Sequence, residues 1–291
     1  MKGKIIKGVS GFYYVHIPGK GVYECRARGI LRKEKIKPLI GDNVEMALVD
    51  EAQKVGNVER ILQRTNHLIR PAVANLDQTV IVFSLDQPEP NFNLLDSFLV
   101  MIEAKGVDII ICFNKSDLIP SSQVDAIAHK YKQIGYSVVS TSTTQGHGIA
   151  DLKTVLYGKT SVFAGPSGVG KSSILNLIQD EMILRTAEVS EKIGRGKHTT
   201  RHVQLICFHD NSYVVDTPGF SSLTIEDMQA DQLKYHFREF YTYEPQCKYI
   251  GCNHLNEPQC GVKVAVANGD IAESRYLSYT QLFEELTSGR R

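Results

Sequence analysis

A glycine-rich octapeptide places the strongest constraint on how this 291-residue chain can fold. It matches the pattern G-x-x-x-x-G-K-[ST] and lies between an apolar segment, Ser161–Ala164, and a segment of helical character, Lys171–Gln179. Such a loop turns backbone N–H groups inward, where they bind phosphate oxygens together with the helix N-terminus. A plain glycine-rich turn is the alternative. We assign to nucleotide binding Gly165, Pro166, Ser167, Gly168, Val169, Gly170, Lys171, Ser172 and the adjacent Ser173.

The same loop predicts a magnesium site. Lys171 is expected to reach the β- and γ-phosphates, and the Ser172 hydroxyl to ligate Mg²⁺. Asp216 follows the apolar run Tyr213–Val215, at the strand end where P-loop enzymes place a carboxylate near the metal. Gly219, three residues later, is predicted to offer its amide to the γ-phosphate.

A second motif predicts which base is bound. Asn114, Lys115, Ser116 and Asp117 follow a predicted strand over Asp108–Phe113. One carboxylate, from Asp117, can accept from both N1–H and N2–H₂ of guanine, a donor pair that adenine lacks on that edge. Asn114 would brace the loop and Lys115 would lie along the base. The alternative is a helix N-terminal cap, a role that Ser116 and Asp117 also suit.

The order of the two motifs is unusual. Asn114 precedes Gly165 by 51 residues, whereas most GTPases place the phosphate loop first. A rotated order leaves the assembled site intact if the original chain ends lie close together, as termini often do. Ser140-Thr141-Ser142 is similar to the small-residue loop that contacts the base.

Three cysteines and one histidine crowd near the C-terminus, in the spacing Cys247-x₄-Cys252-x-His254-x₅-Cys260. Three thiolates and an imidazole form a closed tetrahedral shell, which predicts one structural Zn²⁺. Four unligated residues are the alternative; an iron–sulfur cluster is less suited because four thiolates are usual there.

The patterning predicts a multidomain chain. Residues 1–66 alternate in short segments that suit a small all-β barrel, OB-like by length, although an SH3-like barrel has the same periodicity. Residues 72–223 alternate strands and helices, which predicts a mostly parallel α/β sheet. Residues 224–291 are predicted to form a helical zinc-binding domain, and Thr65–Asn75 reads as a linker.

Charge is unevenly distributed. Residues 1–70 hold 14 Lys and Arg against 7 Asp and Glu, although the whole chain has a net charge of only +1. A basic barrel indicates a polyanion partner such as nucleic acid; a solvated basic surface is the equal alternative. The longest apolar runs, such as Val107–Phe113, which Asp108 interrupts, are far shorter than a bilayer span, and no export signal is evident. We therefore expect a cytoplasmic protein without membrane contact.

The permuted motif order, the barrel and the Cys/His cluster together resemble the RsgA (YjeQ/YloQ) family of circularly permuted GTPases. Gly194–Thr200 and Asp216–Phe220 also match that family. The resemblance implies that His198 is catalytic and that Thr199 or Thr200 completes the Mg²⁺ site. The alternative is that His198 only contacts rRNA, together with Arg195, Lys197 and Arg201. Arg201 replaces a threonine found in some members, and Phe220 stands where Ras-type enzymes place a water-orienting glutamine.

The resemblance further implies a GTP hydrolase that is stimulated by the small ribosomal subunit, binds its rRNA and acts in late maturation of that subunit. The barrel is expected to bind rRNA through its charge and through exposed aromatic residues such as Tyr13, Tyr14 and Tyr23. A monomer is expected. Two other readings remain: an RNA-binding, nucleotide-sensing scaffold with negligible turnover, and a P-loop ATPase or kinase of another class.

Overall fold

The computed structural model describes residues 1–29, 37–68, 72–186, 203–216 and 228–288, with side chains at 180–186 and 216 left out. The chain divides into two compact units. The first comprises Met1–Thr79, Ile149–Phe163 and Ser172–Phe220, and the second comprises Val80–Gly148, Ala164–Lys171 and Ser221–Arg291. The division into 1–66, 72–223 and 224–291 stays a prediction.

The first unit begins with a closed five-stranded barrel. Its strands are β1 (Lys2–Val9), β2 (Phe12–Ile17), β3 (Gly21–Ala27), β4 (Asn43–Asp50) and β5 (Val55–Ile61). The order around the barrel is β1-β2-β3-β5-β4, with β3 and β5 parallel and the other described pairs antiparallel. Alternate residues fill the core: Ile5, Val15, Ile17, Tyr23, Cys25, Val44, Met46 and Val58. The predicted barrel is confirmed, in the Greek-key order of an OB-type fold.

Two expectations about this region need correction. Tyr23 was a candidate for stacking on nucleic acid, but its side chain is 2% exposed and belongs to the barrel core. The described part of Thr65–Asn75 is also not a free linker. A short antiparallel pair, β6 (His67–Leu68) and β7 (Val73–Ala74), packs there, and Asn75 Nδ2 donates to the carbonyl of Gly41 at 3.0 Å.

Six further strands form the predicted α/β sheet, in the order β10-β9-β8-β11-β13-β12. They are β8 (Gln78–Ser84), β9 (Asp108–Asn114), β10 (Ser137–Ser140), β11 (Thr160–Ala164), β12 (Gln204–His209) and β13 (Ser212–Asp216). The pairs β10–β9 and β11–β13 are parallel, and the β12–β13 hairpin is antiparallel. Every residue of β8 and β11 is buried, as expected for strands covered on both faces.

The described helices are divided between the two units. They are α1 (Phe92–Glu103), α2 (Ser121–Gln133), α3 (Ile149–Leu156), α4 (Lys171–Thr186), α5 (Gly261–Ala267) and α6 (Glu273–Ser288). Between β13 and α5 the described chain forms 3₁₀ turns over Ala230–His236, Arg238–Phe240 and Glu244–Gln246. Within the described residues, no helix combines the length and apolarity needed to cross a membrane.

Candidate functional site

The phosphate loop connects the end of β11 at Ala164 to the start of α4 at Lys171. Gly165 begins it with φ +133°, and a Cβ there would lie 2.2 Å from the carbonyl oxygen of Val82 on β8. A side chain would therefore force the loop away from the sheet. The predicted context of a strand, a glycine loop and a helix is present.

Asn114 ties the base-reading motif to this loop. Its side chain is fully buried at the end of β9. Nδ2 donates to the carbonyl of Val169 at 2.8 Å, and Oδ1 accepts from the Thr141 hydroxyl at 3.0 Å. A Cβ on Gly170 would lie 2.2 Å from Asn114 Nδ2, so the two loops are in direct contact. This is the bracing role expected of the asparagine.

Asp117 presents an exposed carboxylate from the middle of a 3₁₀ turn, Ser116–Leu118. A hydrogen bond from Ser142 lowers the pKa of Asp117, and Thr144 Oγ1 also donates to its Oδ2 at 3.1 Å. The carboxyl group is therefore ionised at neutral pH and can accept two adjacent N–H donors. Both hydroxyl donors lie in or just after the small-residue segment Ser140–Ser142.

Two lysines point their ammonium groups at backbone carbonyls in this region. Lys115 has a left-handed backbone (φ 60°, ψ 35°), and its Nζ donates to the carbonyl of Gln87. Lys171 Nζ donates to the carbonyls of Gly165 and Pro166 at 2.7 and 2.6 Å, which holds it at the phosphate loop. Burial lowers the pKa of Lys171.

The structure describes the remaining predicted site residues only in part. Ser172 and Ser173 lie exposed in the first turn of α4. Asp216 ends β13, but its side chain is outside the description. The candidate catalytic His198, the candidate magnesium ligands Thr199 and Thr200, and Gly219 lie outside the described residues.

A second site gathers the four predicted metal ligands. The ligand atoms of Cys247, Cys252, His254 and Cys260 all lie within 4.8 Å of one another. His254 Nδ1 is 3.5 Å from the sulfur of Cys247 and 3.4 Å from that of Cys260. Burial raises the pKa of the Cys252 thiol, with Cys260 adding to the effect. A dication reverses that preference by binding the thiolates, so this cluster can hold a metal ion.

The backbone around these ligands is held by groups that sequence reasoning missed. The Glu257 carboxylate accepts from the amides of Asn253 and Leu255 at 2.8 and 2.9 Å. Tyr276 donates to the carbonyl of His254 at 2.7 Å, and Lys234 to that of Cys252 at 3.0 Å. Glu257 lies between two of the candidate ligands, so the sequence could have identified it as an acceptor for loop amides. Tyr276 and Lys234 are distant from the motif in sequence, so no local signal identified them.

Comparison with known proteins gives full-length matches. The model of the RsgA GTPase family matches residues 61–226, and that of the RsgA N-terminal domain matches residues 2–55. The chain is 50% identical to the small ribosomal subunit biogenesis GTPase RsgA of Agathobacter rectalis, covering 100% of both chains. It is also 50% identical to the same-named protein of Alkaliphilus metalliredigens, covering 100% of this chain and 99% of that one.

Solved structures agree with the sequence relatives. The crystal structure of YloQ, a circularly permuted GTPase, is 42% identical with a TM-score of 0.83, covering 100% of this chain and 96% of that one. YjeQ from Thermotoga maritima is 39% identical, also at 0.83, with coverage of 100% and 99%.

The sheet, the phosphate loop and the preceding base-reading loop define a circularly permuted P-loop GTPase. The chain belongs to the RsgA family of GTPases and is a GTP hydrolase. The predicted family, fold class and enzyme class are confirmed.

Proposed function

We propose that the chain hydrolyses GTP to GDP and phosphate when the small ribosomal subunit stimulates it, and that it acts in late maturation of that subunit. The observation that carries this is the direct bond between Asn114 and Val169, which joins a guanine-reading motif to a phosphate loop. The partner is supported by the relatives' name, small ribosomal subunit biogenesis GTPase, over the full length of both chains.

Each described residue of the site has a role in this proposal. Asp117 accepts from guanine and Lys115 lies along the base. The backbone N–H groups of Gly165–Ser173, apart from Pro166, which has none, bind the phosphates with Lys171. Mg²⁺, when bound, would neutralise charge on the β- and γ-phosphates. The Ser172 hydroxyl, positioned in the first turn of α4, is suited to hold it, together with Asp216 and Thr199 or Thr200.

His198 is proposed to orient water or to stabilise transition-state charge when the partner stimulates hydrolysis. Phe220, at the position of the Ras-type glutamine, cannot hydrogen-bond water, so another residue must do this. We expect His198→Ala to abolish stimulated turnover while nucleotide binding is retained. Unchanged turnover would exclude His198.

The outward face of the barrel is proposed to bind rRNA. On paired strands, Arg26 lies over the Phe12 ring at 4.8 Å, and Lys7 lies over Tyr14 at 5.7 Å. Aromatic rings stack on unpaired bases while the cations bind phosphate. We propose that Phe12 and Tyr14 provide the stacking that the buried Tyr23 cannot provide.

The Cys/His cluster is proposed to hold one structural Zn²⁺, because three thiolates and an imidazole suit zinc and leave no open position. We further propose that the chain acts as a cytoplasmic monomer, and that the C-terminal region also contacts rRNA.

The central experiment measures phosphate release from GTP and ATP, with and without purified small ribosomal subunits. Large subunits serve as the control. We expect stimulation specific to GTP and to the small subunit, and loss of GTP preference in Asp117→Ala. GTP hydrolysis that ignores the subunit would remove the proposed partner. Absence of turnover with the subunit would favour the nucleotide-sensing scaffold.

A further inference from the structure

The loop between β8 and α1 is organised around one buried hydroxyl. Ser84, the last residue of β8, is 1% exposed. Its Oγ donates to the carbonyl of Gln87 at 2.9 Å and accepts from the amide of Asp86 at 3.4 Å. The hydroxyl thus fixes where the Gln87 carbonyl oxygen points.

That same carbonyl oxygen accepts a hydrogen bond from Lys115 Nζ. A carbonyl has two lone pairs, so it can serve the serine and the lysine together. The loop also borders the phosphate loop, because a Cβ on Gly168 would lie 3.8 Å from Pro88 Cδ. Ser84, Gln87 and Lys115 therefore form a chain of contacts beside the nucleotide loops.

We propose that Ser84, acting through the Gln87 carbonyl, is a positioning residue that holds Lys115 along the guanine ring. This rests on the proposed role of Asn114–Asp117 as the base-reading loop. A lysine side chain has a flexible four-carbon stem and loses rotamer entropy when it is fixed. Fixing Nζ before the base arrives removes part of that cost from binding.

Positioning Lys115 should change the affinity for nucleotide without changing which base is selected. Lys115 contacts the face of the base, which guanine and hypoxanthine share, whereas Asp117 reads the N2 amino group that hypoxanthine lacks. Loosening Lys115 should therefore weaken GDP and inosine diphosphate equally. Their affinity ratio should stay at the wild-type value.

The experiment measures dissociation constants for GDP and inosine diphosphate by competition against a fluorescent GDP. We expect Ser84→Ala and Lys115→Met each to weaken both ligands about two- to tenfold, the size of one net hydrogen bond. Lys115→Met retains most of the apolar stem and removes the ammonium. The double variant should be no weaker than Lys115→Met alone, because both changes break the same contact.

Ser97→Ala is the matched control. Its hydroxyl is also buried and donates to a backbone carbonyl, that of Leu94 at 2.8 Å, but within α1. It should leave both constants unchanged. Independent, additive losses of affinity in Ser84→Ala and Lys115→Met would overturn the inference. Wild-type binding by Lys115→Met would also overturn it, and that variant tests the contact even if Ser84→Ala misfolds. An unchanged preference for GDP over inosine diphosphate in Asp117→Ala would instead remove the proposed base-reading loop itself.

Discussion

The guanidinium of Arg275 donates to Oδ1 of Asp96 at 2.6 Å, and both side chains are 1% exposed. Nε and Nη2 of the same arginine donate to the two carboxylate oxygens of Glu239 at 2.6 and 3.1 Å. The Tyr131 hydroxyl donates to Asp96 Oδ1 at 3.2 Å. A buried charge network therefore joins α1 and α2 to the C-terminal helix α6.

Removing the centre of this network should be costly. Arg275→Ala leaves two buried carboxylates without a cation, a loss of about 3–5 kcal/mol in unfolding free energy. Urea unfolding followed by circular dichroism measures it. Arg60→Ala is the control, because the side chains of the Arg60–Glu45 ion pair are 66% and 34% exposed. Its loss should change the unfolding midpoint little. Equal shifts in both variants would show that burial of the network contributes nothing.

Gly170→Ala should separate the two nucleotide loops. The new Cβ would lie 2.2 Å from Asn114 Nδ2, at a residue with φ +99°. We expect at least about a tenfold loss of GDP affinity, since more than one hydrogen bond is displaced. Gly158→Ala carries similar backbone strain at φ +71°, but its new Cβ meets no atom of the described residues within 4 Å. It should lower stability and leave GDP affinity unchanged; matching affinity losses would refute the role of the contact.

His16 should make stability depend on pH. Burial lowers the pKa of His16, opposed by Asp210, and its Nδ1 lies 2.9 Å from the Tyr213 hydroxyl. The neighbouring Cys207 remains a thiol, because burial raises its pKa to about 11. An unfolded histidine binds protons more readily than this one. The stabilisation that neutral His16 contributes to the folded state is therefore complete above about pH 6.5. It is lost as the pH falls through the pKa of His16 in the folded protein.

The measurement compares unfolding midpoints at pH 7.5 and 5.0. We expect the wild type to lose more stability than His16→Gln over this interval. His129→Gln, at an exposed position on α2, should behave as the wild type. Parallel pH profiles for wild type and His16→Gln would contradict the prediction.

Metal content should depend on the Cys/His cluster. Elemental analysis is expected to give one zinc per purified chain and none in Cys252→Ser, with a lower unfolding midpoint because metal binding contributes to folding. Cys207→Ser removes a thiol outside the cluster and should retain the metal. Full zinc occupancy in Cys252→Ser would show that the four residues are not its ligands.

Much of the fold could be predicted because its signals are local. Apolar runs end at Asn114 and Ala164, and the motifs that follow them need only those strands and a short loop. The candidate metal ligands could also be predicted from the sequence, since all four fall within 14 residues. Alternation also predicted the barrel.

What could not be predicted depends on distant contacts. Tyr23 looked available for stacking because alternation alone does not say which face of a strand turns inward. Arg275 sits in an unremarkable helix, and its partners Asp96 and Glu239 lie 179 and 36 residues away. Ser84 and Gln87 belong to none of the sequence motifs. Their relation to Lys115 exists only once β8 and β9 lie in one sheet.

The rotated motif order also has a consequence in time. Chains are synthesised from the N-terminus at about 5–20 residues per second, so the 51 residues from Asn114 to Gly165 take roughly 3–10 s. Throughout that interval the base-reading half exists without its phosphate-binding half. GTP therefore cannot act as a template for the first half of its own site during that interval, and any assembly of the barrel and β8–β10 in that time depends on their own contacts.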